Sequence, residues 1–264
     1  MTYSQTLATL FLLLLLLAIF RRMFSKKSSP ATLAPFPEAW KSILTQKVLF
    51  YRQLSPAEQI RFQQSLQLFL EKVRITGVGT EVDDVDKLLV GASAVIPLFG
   101  FPGWGYRTLN EVLLYDGTFN RDFETQQGAE RNILGMVGGT GMTGTMILSK
   151  PALHEGFDRD SDHHVGIHEF VHLLDRADGA TDGIPEMMIQ QPFLIPWVKM
   201  MHREIKAIQD GASDIDDYGS TNEAEFFSVV SEYFFKTPHL LEKRHPELFA
   251  MLERIFRQEM KTQE

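Results

Sequence analysis

His168 and His172 stand four residues apart within the apolar run VGIHEFVHLL. On a helix, that spacing stacks two imidazoles on one face, where both reach a single metal ion. Ile167, Val171 and Leu174 mark the adjacent face as the buried one, so the histidines line its border. Glu169 is offset by about 100° from His168 and reaches past such an ion to a bound water. Zinc lowers the pKa of bound water towards about 7, and a carboxylate then takes its proton, which is the division of labour in an H-E-x-x-H segment. Taken alone, the five residues also fit a plainer reading, two histidines packed and hydrogen-bonded at a helix border.

The chain has no cysteine, so any metal site must draw on His, Asp and Glu. A catalytic site needs a third ligand and an open position. The extended pattern HExxHxxGxxH is closed here, because positions 175 and 178 are both Asp. The third ligand is therefore expected from a downstream helix, with a carboxylate as its type. Residues 221–227 (TNEAEFF) open such a helix; their plainer reading is a capping box with Asn222 as N-cap and Glu225 at the third position. Glu232 lies seven residues further, on the same face, and is placed to support a ligand from behind. His164 precedes His168 by four residues, roughly 6 Å along the axis and too far to share the ion easily. It is expected to cap the helix or to brace a ligand. His154, His202, His239 and His245 show no partner pattern and are expected at the surface.

Residues 7–20 (LATLFLLLLLLAIF) are almost wholly apolar, and Arg21, Arg22, Lys26 and Lys27 follow. With flanking residues and snorkelling arginines, the run approaches the roughly 17–25 residues of a membrane span. A cleaved signal peptide carries its charge before the apolar run and small residues after it; here the order is reversed. We expect a transmembrane anchor over residues 1–24, a Pro-rich linker over 25–37 and one domain over 38–264. The basic flank places that domain in the cytoplasm, with export as the alternative. Removing the four basic residues leaves 22 basic against 34 acidic residues, a balance near −12. Such a surface repels phosphate backbones and argues against nucleic acid as a direct partner.

Hydrophobic content of 44%, with 20 Phe among 264 residues, fills a sizeable core. Residues 37–72 read as helical, with a start at Ser55-Pro56-Ala57-Glu58. Residues 82–95 suggest another helix, closed by Ile96-Pro97. Residues 111–115 (EVLLY) are a strand candidate ending at Asp116-Gly117. Residues 138–149 are glycine-rich and turn β-like; they lead into a strand rather than opening a helix, which argues against a phosphate loop. Residues 143–148 are expected as an edge strand able to hold an extended peptide. Helices are expected over 163–176, 193–209, 222–235 and 245–261. Residues 178–185 form a turn-rich loop expected to shape a pocket wall, while Asp214, Asp216 and Asp217 read as a solvated loop. Helices around a small sheet make an α+β domain.

HEFVHLLD followed by DYGSTNEAEFFSVVSEYFF resembles the zinc peptidases of the Mlc titration factor A family. The likeness covers nearly the whole chain from Pro35, including PFPEAWKSIL, YRQLSPAEQ and AEFFSVVSEYFF. HEFxHxxD and YGxTNEAEFF also resemble the anthrax lethal factor catalytic domain, with identical spacing from the tyrosine to the last glutamate. The resemblance implies a mainly helical, zincin-like fold of the gluzincin type, with a small sheet beside the HExxH helix. It implies His168, His172 and Glu225 as ligands of one Zn2+ and Glu169 as general base in peptide hydrolysis. Tyr218 is implied as the group that stabilises the oxyanion or donates a proton. Asp175, one turn beyond His172, is a candidate to orient a ligand imidazole. The expected partner is a peptide or protein substrate. The resemblance equally implies capture of a transcriptional repressor, which an anchored protein would hold at the membrane. A purely structural zinc site is disfavoured, because it would close with four protein ligands and leave Glu169 and Tyr218 without use.

Overall fold

The computed structural model describes residues 34–117, 135–137, 144–159, 161 and 163–260. The anchor expected over residues 1–24 and most of the expected linker lie outside these. Among the described residues, no helix is long and apolar enough to cross a membrane. Phe36–Glu264 clusters as one compact unit.

Three helices open it: α1 (Glu38–Lys47), α2 (Leu49–Gln53) and α3 (Pro56–Lys72). The capping box expected at Ser55 is formed. Ser55 Oγ accepts the Glu58 N–H at 3.4 Å, and Glu58 Oε2 accepts the Ser55 N–H at 2.8 Å. Next come strand β1 (Arg74–Val78) and helix α4 (Asp84–Leu98). A second capping box, Asp83 with Asp86, starts α4. From Leu88 to Leu98 every residue of α4 is buried, the mark of a helix apolar on all sides and central to the fold. Pro97 lies inside its last turn rather than beyond it.

Strands β2 (Glu111–Tyr115), β3 (Gly135–Val137) and β4 (Thr145–Ser149) complete a sheet of order β1-β2-β4-β3. β1, β2 and β4 run parallel, and β3 pairs antiparallel with β4. The β1–β2 connection through α4 is the crossover that parallel neighbours require. The expectation of an edge strand at residues 143–148 is corrected here. β4 is bonded on both sides and is interior, and Met146, Ile147 and Leu148 are at most 1% exposed, so both faces of β4 are covered. A continuous apolar run suits that position. The edges among the described residues are β1 and β3.

The remaining helices are α5 (Lys150–Gly156), α6 (Val165–Asp175), α7 (Gln191–Gln209), α8 (Glu223–Lys236), α9 (Pro238–Arg244) and α10 (Pro246–Phe256). Short 3-10 turns lie at Arg176–Asp178 and Asp217–Ser220. α6 packs against α4 on one side and α8 on another, with β3 running close to it. Gly166 permits the α4 crossing, since a Cβ there would fall 2.3 Å from Ser93 Oγ and 2.8 Å from Ser93 Cβ. α8 is pinned by Phe226, Phe227 and Phe234, all fully buried. Trp197 of α7 and Phe256 of α10 pack on those rings at centroid distances of 5.7–6.0 Å. Each such ring contributes roughly 1.5–3 kcal/mol through burial. The two helices that carry the expected ligands are therefore fixed by core packing and not by surface loops.

Candidate metal centre

His164 caps α6, as its position suggested: its Nδ1 accepts the Ile167 N–H at 3.2 Å. The ring is 3% exposed and lies edge-on to Phe157, and burial lowers its pKa to about 3. One turn on, His168 Nε2 and His172 Nε2 stand 3.1 Å apart. Glu225 Oε2 of α8 lies 3.1 Å from the first and 3.2 Å from the second. Asn222 does cap α8, accepting the Glu225 N–H at 2.9 Å. The Glu225 carboxylate, however, points to the two imidazoles instead of closing a capping box. Its backbone thus serves the helix and its side chain serves the site.

The donor set fits a single divalent ion. Three donors held about 2.0–2.2 Å from a tetrahedral zinc stand roughly 3.3 Å apart, close to the separations found here. The triad is the group of His, Asp and Glu with metal-ligand spacing among the described residues. Its side chains are only 12–18% exposed, so the charges act in a medium of low polarity. Burial would raise the Glu225 carboxyl, but hydrogen bonds with His168 and His172 outweigh it and pull its pKa down. Burial opposes the charge on His168, while Glu225 and Glu232 together hold its imidazole pKa up.

Glu232 braces the site from behind. Its Oε1 lies 2.6 Å from His168 Nδ1, and its Oε2 accepts the His164 backbone N–H at 2.6 Å. Placing the proton on Nδ1 leaves the Nε2 lone pair directed at the triad. Glu169 is 6% exposed beside the two imidazoles, and burial raises its pKa. Tyr218 stands on the 3-10 turn with its ring centroid 6.1 Å from that of His168. It is 53% exposed, and partial burial together with the Glu225 and Glu169 charges keeps its phenol neutral to higher pH than usual.

Asp175 is fully buried, and its Oδ2 accepts the Gly183 N–H at 3.0 Å. One oxygen of this carboxylate thus holds the loop after α6, and its charge also interacts with the His172 imidazole one turn earlier. Gly183 (φ +72°) itself sits 2.2 Å, measured from an added Cβ, from Glu223 O at the start of α8. The loop is pressed against the helix that bears Glu225.

Two histidines expected at the surface are engaged elsewhere. His154 Nε2 lies 2.7 Å from Asp86, whose carboxylate is wholly buried and also pairs with Lys150 at 2.8 Å. His245 lies between Asp214 (2.7 Å) and Glu204 (3.5 Å). Asp214 is likewise no solvated loop residue, since Tyr233, Arg244 and His245 all donate to it. No local pattern announces this cluster, whose members lie up to 31 residues apart.

Comparison with known proteins points the same way. The family model described as glucose-regulated metallo-peptidase M90 matches residues 21–257. The chain is 29% identical over 233 residues to a Synechocystis sp. protein named uncharacterized protein slr2042, covering 84% of each. It is 28% identical over 247 residues to Mlc titration factor A of Enterobacter sp., covering 89% of this chain and 90% of that protein. It is 29% identical over 236 residues to Mlc titration factor A of Cronobacter sakazakii, covering 85% and 86%.

Proposed function

This chain belongs to the glucose-regulated metallo-peptidase M90 family, and from that premise we propose that it hydrolyses peptide bonds with one zinc ion held by His168, His172 and Glu225. The observation that carries the reading is the convergence of two imidazole nitrogens and one carboxylate oxygen within 3.1–3.2 Å, beside the buried Glu169. Zinc in that position supplies Lewis acidity, lowering the pKa of water towards about 7 and polarising a substrate carbonyl.

The chain's own groups do the rest. Glu169 accepts the proton of the attacking water and returns it to the leaving amine as the C–N bond breaks. Its raised pKa suits a base that must also act as an acid near neutral pH. Tyr218 donates its phenol hydrogen bond to the oxyanion formed at the former carbonyl, and its neutrality preserves that donor. Glu232 holds the His168 ring in its tautomer and orientation. The outer edge of β3, unpaired among the described residues and close to α6, offers main-chain groups to an extended substrate.

The test compares wild type with Glu169→Gln for zinc content and for cleavage of a mixed peptide library. One zinc per chain in both, with kcat reduced roughly 10²–10⁴-fold in the variant, is expected. Full activity in the variant would overturn the scheme.

A second reading follows from the name of the relatives. Those proteins are named Mlc titration factor A, and in this reading the chain captures a repressor protein, with peptide cleavage secondary. Pull-down of such a partner by the His168→Ala protein decides between them: undiminished capture makes binding independent of the metal site.

A further inference from the structure

Tyr218 is the exposed member of the site. With 53% of its surface open, it has little packing to set its direction, so its backbone must do so. Four residues upstream, Asp214 is gripped from three sides. Its Oδ2 accepts from the Tyr233 hydroxyl at 2.7 Å and from the Arg244 guanidinium, and its Oδ1 stands 2.7 Å from His245 Nε2. The other nitrogen of His245 faces Glu204 of α7 at 3.5 Å. Donors from α8, from the end of α9 and from the residue that opens α10 thus meet on one carboxylate. Charge-assisted bonds of this kind are stronger than neutral ones, and three together resist solvent better than a single surface pair.

From Asp214 the constraint passes along the chain without a gap. Ile215 is 2% exposed, anchored in the core. Asp216 Oδ1 accepts the Tyr218 N–H at 2.8 Å, and Asp216 O accepts the Gly219 N–H at 2.9 Å. Gly219 rests on Val229 of α8 and Ile208 of α7 at 3.4–3.6 Å from an added Cβ. Tyr233 directly follows Glu232, so the residue that grips Asp214 neighbours the one that orients His168.

We propose that Asp214 is a positioning residue that, through Tyr233, Arg244 and His245, holds the residue 214–219 segment so that the Tyr218 phenol stands over the metal triad. A loop aspartate serving only solubility would bond water and would leave kcat indifferent to its loss. The proposal rests on Tyr218 acting as the oxyanion donor in peptide hydrolysis.

The test is a double-mutant cycle with full-length zinc-loaded protein: Asp214→Asn, Tyr218→Phe and both together, with Tyr233→Phe as a milder cut of the same anchor. Asp214→Asn is expected to lower kcat about tenfold with KM within twofold and zinc stoichiometry unchanged. In the Tyr218→Phe background the same change should cost less than twofold, because the group being positioned is already gone. Tyr233→Phe should repeat the pattern with a smaller drop, and it carries the test if Asp214→Asn does not fold. An equal loss in both backgrounds, or no loss of kcat, overturns the proposal. Amide hydrogen exchange at Gly219 and Thr221 separates this inference from the peptidase reading. Faster exchange in Asp214→Asn supports the anchor even if wild type cleaves no peptide, and unchanged exchange sinks it whatever the activity.

Discussion

The two halves of the site are built differently. The half with the proposed ligands lies on α6 and α8, where His168, His172 and Glu225 are only 12–18% exposed and the helices are clamped by aromatic packing. The other half is one phenol, Tyr218, 53% exposed on a 3-10 turn. The contrast separates two tasks. Metal ligands must hold sub-ångström geometry permanently, and rigid helices provide it. An oxyanion donor must admit substrate beside it, which in the proposed scheme accounts for the exposed place of Tyr218 and for its polar anchor.

Breaking the buried half should give the largest effect. Glu225→Ala removes one of three ligands and leaves two imidazoles facing each other at 3.1 Å. Equilibrium dialysis should find zinc stoichiometry near zero, and peptidase activity should vanish. Breaking the exposed half should be milder and of a different kind. Tyr218→Phe should lower kcat by about 10²-fold, the usual cost of one oxyanion donor, with zinc content unchanged by atomic absorption. Loss of metal in that variant would mean the two halves are not separable.

Glu232→Gln sharpens the comparison. It keeps the shape but replaces the anionic acceptor at 2.6 Å from His168 Nδ1 with an amide. Zinc affinity in a chelator competition should fall about 10–100-fold, as for other groups that orient metal-bound imidazoles. The smallest effect is one of pH. The Asp214 carboxyl is partly buried, yet donors from Tyr233, His245 and Arg244 outweigh that burial and lower its pKa to about 2. Unfolded aspartate titrates near 3.9, so the anchor's stabilisation is fully present above about pH 4 and lost as pH falls through 2. Urea midpoints of wild type and Asp214→Asn should differ at pH 5 and converge by pH 2.

The same division explains what could be read from residues alone. Four-residue and seven-residue spacings, with Asn222 as cap, encode helical faces, so the α6–α8 half is legible because helix geometry is local. The parallel sheet is less so. RITGV in β1 has a glycine and no strong alternation, and it becomes a strand by pairing with β2. TMILS in β4 has three consecutive apolar residues at its centre, a pattern that signals coverage of both faces and hence an interior strand, which undid the expectation of an edge. The Asp214 cluster is the least legible, because its contacts span 19, 30 and 31 residues and exist only once α9 and α10 fold back.

One helix, α8, carries the proposed third ligand, the carboxylate behind His168 and the hydroxyl that grips Asp214. Any displacement of α8 therefore moves all three together. Phe226, Phe227 and Phe234 set its seat in the core. Under the proposed scheme, trimming one of them should change more than stability, shifting ion affinity and turnover in concert. Along this helix, the hydrophobic interior acts as the calibration of the chemistry.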